Sequence, residues 1–250
     1  MPAETRNIMQ SPLDTLDRRP LYAQVAEGIA AMIKDAGLVP GDDLPSEAEL
    51  CERAGVSRVV VRGALAQLAG AGLIKISNGR RAQVMSLDAN VLTASLSQGL
   101  ATAQFSVLQA LEVRNGIEAS TAALAAQNRS DADCARLSAL CDQMQDAMED
   151  ADGFAELDYR FHLAVAEATG NPLYAYIVQS LREVIKSSVS AGRLAQPTAQ
   201  DQQRILTDHR RIQHAIASGD AAAATVAMQD HFAAANTALA QDAAPQDTGS

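Results

Sequence analysis

From residue 88 to 240 the sequence is a near-continuous succession of helix-length segments separated by start and stop signals. Ser106-Val-Leu-Gln109 is a capping box, in which each side chain satisfies a backbone N–H at the helix start. It opens a helix predicted to run to about Gln127, with Leu108, Leu111, Val113, Ile117 and Leu124 on its apolar side. Ser130-Asp-Ala-Asp133 starts the next, to about Asp150. Asp152-Gly153 precedes one that Gly170 stops after Thr169. Asn171-Pro172 caps and starts another, to about Ala191, with proline at the favoured first position. Thr198 opens a helix to Ser218, and Asp220 caps the last, to about Ala240. Alanine fills 50 of the 250 positions, against 15 Gly and 8 Pro, and favours helix over sheet. Six or seven such helices with short loops predict an antiparallel all-α bundle over residues 87–242, then a disordered polar tail over 243–250.

Residues 15–86 read differently. Leu21, Val25, Ile29 and Ile33 recur every four residues, which predicts an amphipathic helix over 21–36, stopped by Gly37. Ser46 and Glu49 form a capping box for a second, short helix that Gly55 ends. Ser57 caps a third over 58–70. Two short helices joined by a Gly-containing turn make a helix-turn-helix. The apolar runs Leu73–Ile76 and Gln83–Met85 flank Asn78-Gly79-Arg80-Arg81, a hairpin-type turn. The fold class is therefore mostly α: an N-terminal winged helix-turn-helix followed by the helical bundle.

The formal charge of −10 argues against a nucleic-acid partner only while the chain is averaged. Residues 1–85 carry ten basic and ten acidic residues, and residues 86–250 carry ten and twenty. Residues 53–87 hold Arg53, Arg58, Arg62, Lys75, Arg80 and Arg81 and no acid, which points to a polyanion contact. The bland alternative is a set of solvated helix arginines. No apolar run approaches the roughly 20 residues of a membrane span, and no signal-peptide core is present at the N-terminus, so a cytoplasmic protein is expected, with no membrane partner.

The stretches Leu44-Pro-Ser-Glu-Ala-Glu-Leu50, Gly55-Val-Ser-Arg58 and Val61-Arg62-Gly-Ala-Leu65 resemble the GntR family of bacterial transcription regulators. The resemblance implies a third helix in the major groove and a wing at the adjacent minor groove of double-stranded DNA. It assigns Ser57, Arg58 and Arg62 to phosphates and base edges, and Gly79 and Arg80 to the wing contact, with Ser46, Val59 and Arg81 completing the candidate DNA surface. Arginine is the usual bidentate reader of guanine, and a helix N-terminus is itself a phosphate site. The chain departs from the family pattern at Ala48, where an arginine is usual, and at Val59-Val60, Gly63 and Arg81-Ala82-Gln83. Arg81 adds a wing charge that offsets the arginine missing at 48.

All four histidines lie in the bundle. Asp158 and His162 are four apart, so they stack on one helix face and can share an ion. His209 and His231 lie on later helices, and a bundle can aim such residues into one cavity. By itself the pair is as readily a surface pair. His214 follows His209 by five and points elsewhere. Cys51, Cys134 and Cys141 form no Cys-x-x-Cys pair and read as small buried apolar residues.

Phe154…Asp158-Tyr-Arg-Phe-His162…Gly170-Asn-Pro172, His209-Arg-Arg-Ile212…Gly219-Asp220 and Met228…His231 are similar to the FCD domain, the ligand-binding part of FadR-type GntR regulators. The resemblance implies that Asp158, His162, His209 and His231 hold a divalent metal, Zn or Ni, with coordination positions open to a small organic acid. Arg114 matches an arginine facing the same cavity. It either clamps the acid or pairs with Glu118 one turn on. Asn171 is a second candidate for the effector, or simply a helix cap. Arg160 lies on the face opposite Asp158. The function implied is a metabolite-responsive transcription regulator, a repressor, working as a homodimer on a pseudo-palindromic operator. The alternatives are a metal-ion-sensing regulator, and a metal-dependent hydrolase fused to a DNA-binding module. Against the hydrolase, no second carboxylate pair or general base stands near the ligands, and no catalytic residue is assigned.

Overall fold

The computed structural model describes residues 19–195 and 199–242. The chain divides into two compact units, Met1–Asp88 and Ala89–Ser250. The expectations for residues 15–18, for Thr198 and for the tail over 243–250 fall outside the described residues.

The first unit is three helices and a hairpin. α1 (Leu21–Asp35) ends before Gly37, whose φ of +62° takes a left-handed turn that favours glycine. α2 (Glu47–Ala54) starts with the expected Ser46–Glu49 capping box and ends at left-handed Gly55. α3 (Arg58–Gly70) packs along α1, burying Val61, Ala64, Leu65 and Leu68 against Ala26 and Ile29. A Cβ on Gly63 would stand 3.2 Å from the Cβ of Tyr22, so the glycine that departs from the family pattern lets α1 come close. Ser57 occupies the N-cap position of α3, but its side chain makes no capping bond, contrary to expectation; only its carbonyl accepts, from Val60 and Val61. β1 (Ile74–Lys75) and β2 (Gln83–Val84) pair antiparallel, Ile74 opposite Val84. A third segment, not foreseen, joins this ladder: Asp43 bridges Gln83, and Leu44 N–H donates to the Ala82 carbonyl at 2.7 Å. It anchors fully buried Leu44 and ties the wing to the turn before α2.

The second unit contains eight helices among the described residues: α4 (Asn90–Ala101), α5 (Val107–Asn128), α6 (Asp131–Asp146), α7 (Ala151–Ala168), α8 (Pro172–Ser180), α9 (Arg182–Ala195), α10 (Ala199–Ser218) and α11 (Ala221–Asp242). The capping boxes at Ser106–Gln109 and Ser130–Asp133 form as expected. Three boundaries differ. α6 ends at Asp146, a turn short of the expected end near Asp150. α7 is capped by Asp150, which accepts from Gly153 N–H at 3.0 Å; a Cβ on Gly153 would lie 2.3 Å from that carboxylate, so a larger residue there would displace the cap. The helix expected over 172–191 is two, broken at Leu181. Ser180 donates its hydroxyl back to the Tyr176 carbonyl at 2.7 Å, a bond that bends helices, and the break drops Val178, Leu181, Val184 and Ile185 into one apolar cluster.

α7 is the centre of the unit. It packs against α5, α6, α8 and α9. Phe154, Phe161 and Val165 enter the main core, while Tyr159 and Ala166 enter the second cluster. A helix apolar on nearly all sides is a buried helix, and polar residues on it are carried into the interior. Along α5 and α11 the buried residues are mostly alanines, including Ala122, Ala125, Ala224 and Ala227, which lets the two helices approach closely. Each fully buried Leu, Ile or Phe contributes about 1.5–3 kcal/mol to holding this frame.

Candidate metal centre and candidate nucleic-acid interface

α7 presents Asp158 and His162, α10 presents His209, and α11 presents His231. One ligating atom from each lies within 4.8 Å of all the others. Asp158, His162 and His209 are buried and His231 is half-buried. The imidazoles of His209 and His231 pack with centroids 4.6 Å apart, and His162 lies 5.6 and 5.4 Å from the two.

The outer nitrogens decide what the inner ones can do. Nδ1 of His209 is 2.8 Å from the Ile205 carbonyl, which can only accept, so that nitrogen carries the hydrogen. Nδ1 of His162 lies against a carboxylate oxygen of Glu118. Both rings therefore turn Nε2 inward, at 3.0 Å (His209) and 3.7 Å (His162) from the Asp158 oxygens. Neither Nε2 makes a hydrogen bond, although both are buried. Two lone pairs aimed at a carboxylate repel it unless a cation or an added proton stands between them. Burial would raise the Asp158 carboxyl, but His162 and His209 outweigh it and hold it well below the usual range. Burial alone would lower His209; the Asp158 carboxylate 3.0 Å from its Nε2 raises it instead. His231 is pushed well below its ordinary value by burial and then by the other two histidines, which leaves it a neutral nitrogen donor. Three imidazoles and one ionised carboxylate are the donor set of a divalent transition ion, and the residues fit one.

Beside the cluster lies a cavity of about 50 Å³ lined by Arg114, Asp158, Ser188, His231 and Phe232. Both expectations for Arg114 meet here. Its Nε donates to Glu118 at 2.7 Å and its Nη1 to the Ser188 hydroxyl at 3.1 Å. Its guanidinium stacks 4.8 Å over the Phe232 ring, and Nη2 is buried with no partner. Asn171 is elsewhere: it is exposed, and its Oδ1 caps α8 by accepting from Leu173 N–H at 3.0 Å. Arg160 and His214 are exposed. Glu118 was visible in sequence only as a partner for Arg114 one turn away. Its reach to His162 crosses from α5 to α7, and no local spacing signals it.

In the first unit, Ser57, Arg58 and Val59 are exposed at the start of α3, Val59 at 79%. Ser46, Glu47, Arg62, Gly79, Arg80 and Arg81 line one groove between the helices and the wing. Gly79 has φ +71°, as its turn requires. The Ser46 hydroxyl is already engaged with Glu49, at 2.6 Å. The acid-free stretch is not acid-free in space: Arg62 pairs with Glu47 at 3.0 Å, and Arg81 with Glu49 at 3.7 Å. Both acids precede the stretch in sequence and sit on α2, so the surface is less basic than its linear reading. Cys51 and Cys134 are half-buried and Cys141 is buried, all as free thiols. No helix among the described residues is long and apolar enough to cross a membrane.

A winged reader unit and an all-α unit with a buried His/Asp cluster define a two-domain DNA-binding regulator. Residues 21–84 match the family "Bacterial regulatory proteins, gntR family", and residues 109–234 match the "FCD domain". The chain is 33% identical over 205 residues to the HTH-type transcriptional regulator LutR of Bacillus subtilis, covering 80% of this chain and 93% of that one. It is also 33% identical over 221 residues to the Glc operon transcriptional activator of Escherichia coli K12, covering 86% and 87%. A solved Streptococcus agalactiae GntR structure shares the fold, with a TM-score of 0.59 and 23% identity over 86% of this chain and 99% of that one. The chain belongs to the GntR family of DNA-binding transcription regulators, in the group that carries an FCD domain, and is not an enzyme.

Proposed function

We propose that this regulator binds a divalent metal, Zn or Ni, on Asp158, His162, His209 and His231, and senses a small organic acid beside it. The observation that carries the reading is the buried, unpartnered Nη2 of Arg114, a residue that lines the same small cavity as Asp158 and His231. A bound metal supplies a Lewis-acidic centre with positions open to a carboxylate oxygen. Arg114 then offers a donor to the acid's other oxygen, and Ser188 and Phe232 fix the guanidinium that does so. The cavity of about 50 Å³ has room for a small acid beside the metal ligands.

The working unit is a homodimer that sets two α3 helices about one DNA turn apart on a pseudo-palindromic operator. Arg58, Val59 and Arg62 read the major groove, Gly79, Arg80 and Arg81 serve the wing, and Ser46 and Ser57 contact the backbone. The acid prefers one of two settings of the dimer and so shifts operator affinity, releasing a repressor from its site. The test is a mobility-shift titration with DNA from upstream of its own gene, adding L-lactate or acetate at constant metal. A shift in affinity with the acid supports the reading. Loss of DNA binding on chelation, restored by metal alone and indifferent to acids, would make the metal itself the signal.

A further inference from the structure

Glu118 touches both halves of the proposed site. It lies on α5 one turn beyond Arg114 and is 1% exposed. One oxygen accepts from Nε of Arg114 at 2.7 Å, and the other lies against Nδ1 of His162. The Arg114 guanidinium is always protonated, so this buried pair holds Glu118 as a carboxylate. An ionised carboxylate can only accept hydrogen bonds.

Two consequences follow from that restriction. Nδ1 of His162 must carry a hydrogen, so the ring presents Nε2 to Asp158, the orientation a metal requires. The arginine engages Glu118 through Nε and Ser188 through Nη1, which leaves Nη2 buried and unpartnered on a residue that lines the cavity. We propose that Glu118 is a positioning residue that fixes His162 for the metal and Arg114 for the acid together, joining the two binding events through one carboxylate. This rests on the metal-and-acid reading above. Carboxylates behind metal-bound histidines typically set ligand orientation and basicity, and their loss weakens metal binding about 10–100-fold.

The variant that tests it is Glu118→Gln. Its amide can turn NH₂ towards Nδ1 of His162, which favours the wrong tautomer, and it cannot serve both partners as an anion. Zinc affinity is measured by competition with a chelator, and acetate binding to the zinc-free protein by calorimetry. The expected result is a fall in zinc affinity of about 10–100-fold together with weaker acetate binding, with the helical circular dichroism retained. Zinc affinity within twofold of wild type overturns the proposal while leaving the metal site standing. A wild-type protein that binds no zinc overturns the metal reading itself. Imidazole nitrogen NMR of zinc-loaded wild-type protein gives a check that needs no variant to fold. The account requires the hydrogen of His162 on Nδ1 and zinc on Nε2, and the reverse arrangement contradicts it.

Discussion

Nε of Arg62, on α3, donates to both carboxylate oxygens of Glu47, at 3.0 and 3.2 Å. The pair is exposed, 69% on the arginine side, so it adds little to stability, but it holds one positive charge away from phosphate. Glu47→Gln should therefore raise affinity for arbitrary duplex DNA. It should also steepen the slope of log affinity against log salt by about 0.9, the increment for one further phosphate contact. An unchanged slope, measured by fluorescence anisotropy across a salt series, contradicts this.

Arg114 and Glu118 form a buried ion pair, 2% and 1% exposed. Removing one partner of such a pair strands the other charge. Arg114→Leu should destabilise the helical unit by about 3–5 kcal/mol in urea unfolding, and a loss below about 1 kcal/mol would show that His162 alone satisfies the carboxylate.

Burial pushes the Cys141 thiol up to about 11 from an ordinary 9.0, outweighing Arg210 nearby. Because the folded value is the higher, the associated stability is present below pH 9 and is lost as pH rises from 9 towards 11. The amount is on the order of 2–3 kcal/mol, and Cys141→Ala should remove this alkaline dependence from a denaturation series. Thiol reagents at neutral pH should label half-buried Cys51 and Cys134 and reach Cys141 only on unfolding.

The cap of α7 positions two of the four proposed ligands. Asp150→Ala removes the bond to Gly153 and should cost about 1 kcal/mol, lowering the melting temperature by about 2–4 °C. No change in calorimetry would mean that packing alone sets the start of α7.

What was legible in the sequence is what depends on short-range spacing. The caps at Ser46, Ser106 and Ser130, the glycine stops and the Asp158–His162 pair all act within four residues. Family likeness added His209 and His231, which no spacing joins to α7. The break at Leu181 carries no glycine or proline signal, because its cause is a serine bonding back to a carbonyl and a second apolar cluster that exists only in the fold. The same holds for Glu118 behind His162, for the pairing of Arg62 with Glu47, and for the Asp43–Gln83 bridge. Each joins residues on different elements, and tertiary packing alone brings them together.

The central claim is that the inward Nε2 atoms of His162 and His209 face a metal held with Asp158 and His231. Elemental analysis of the purified native protein beside His209→Ala measures this directly. The account predicts about one divalent ion per wild-type chain, its loss in the variant, and a lower melting temperature there, because metal binding is linked to folding. A wild-type protein free of divalent metal even after dialysis against zinc, or a variant with unchanged metal content, contradicts it.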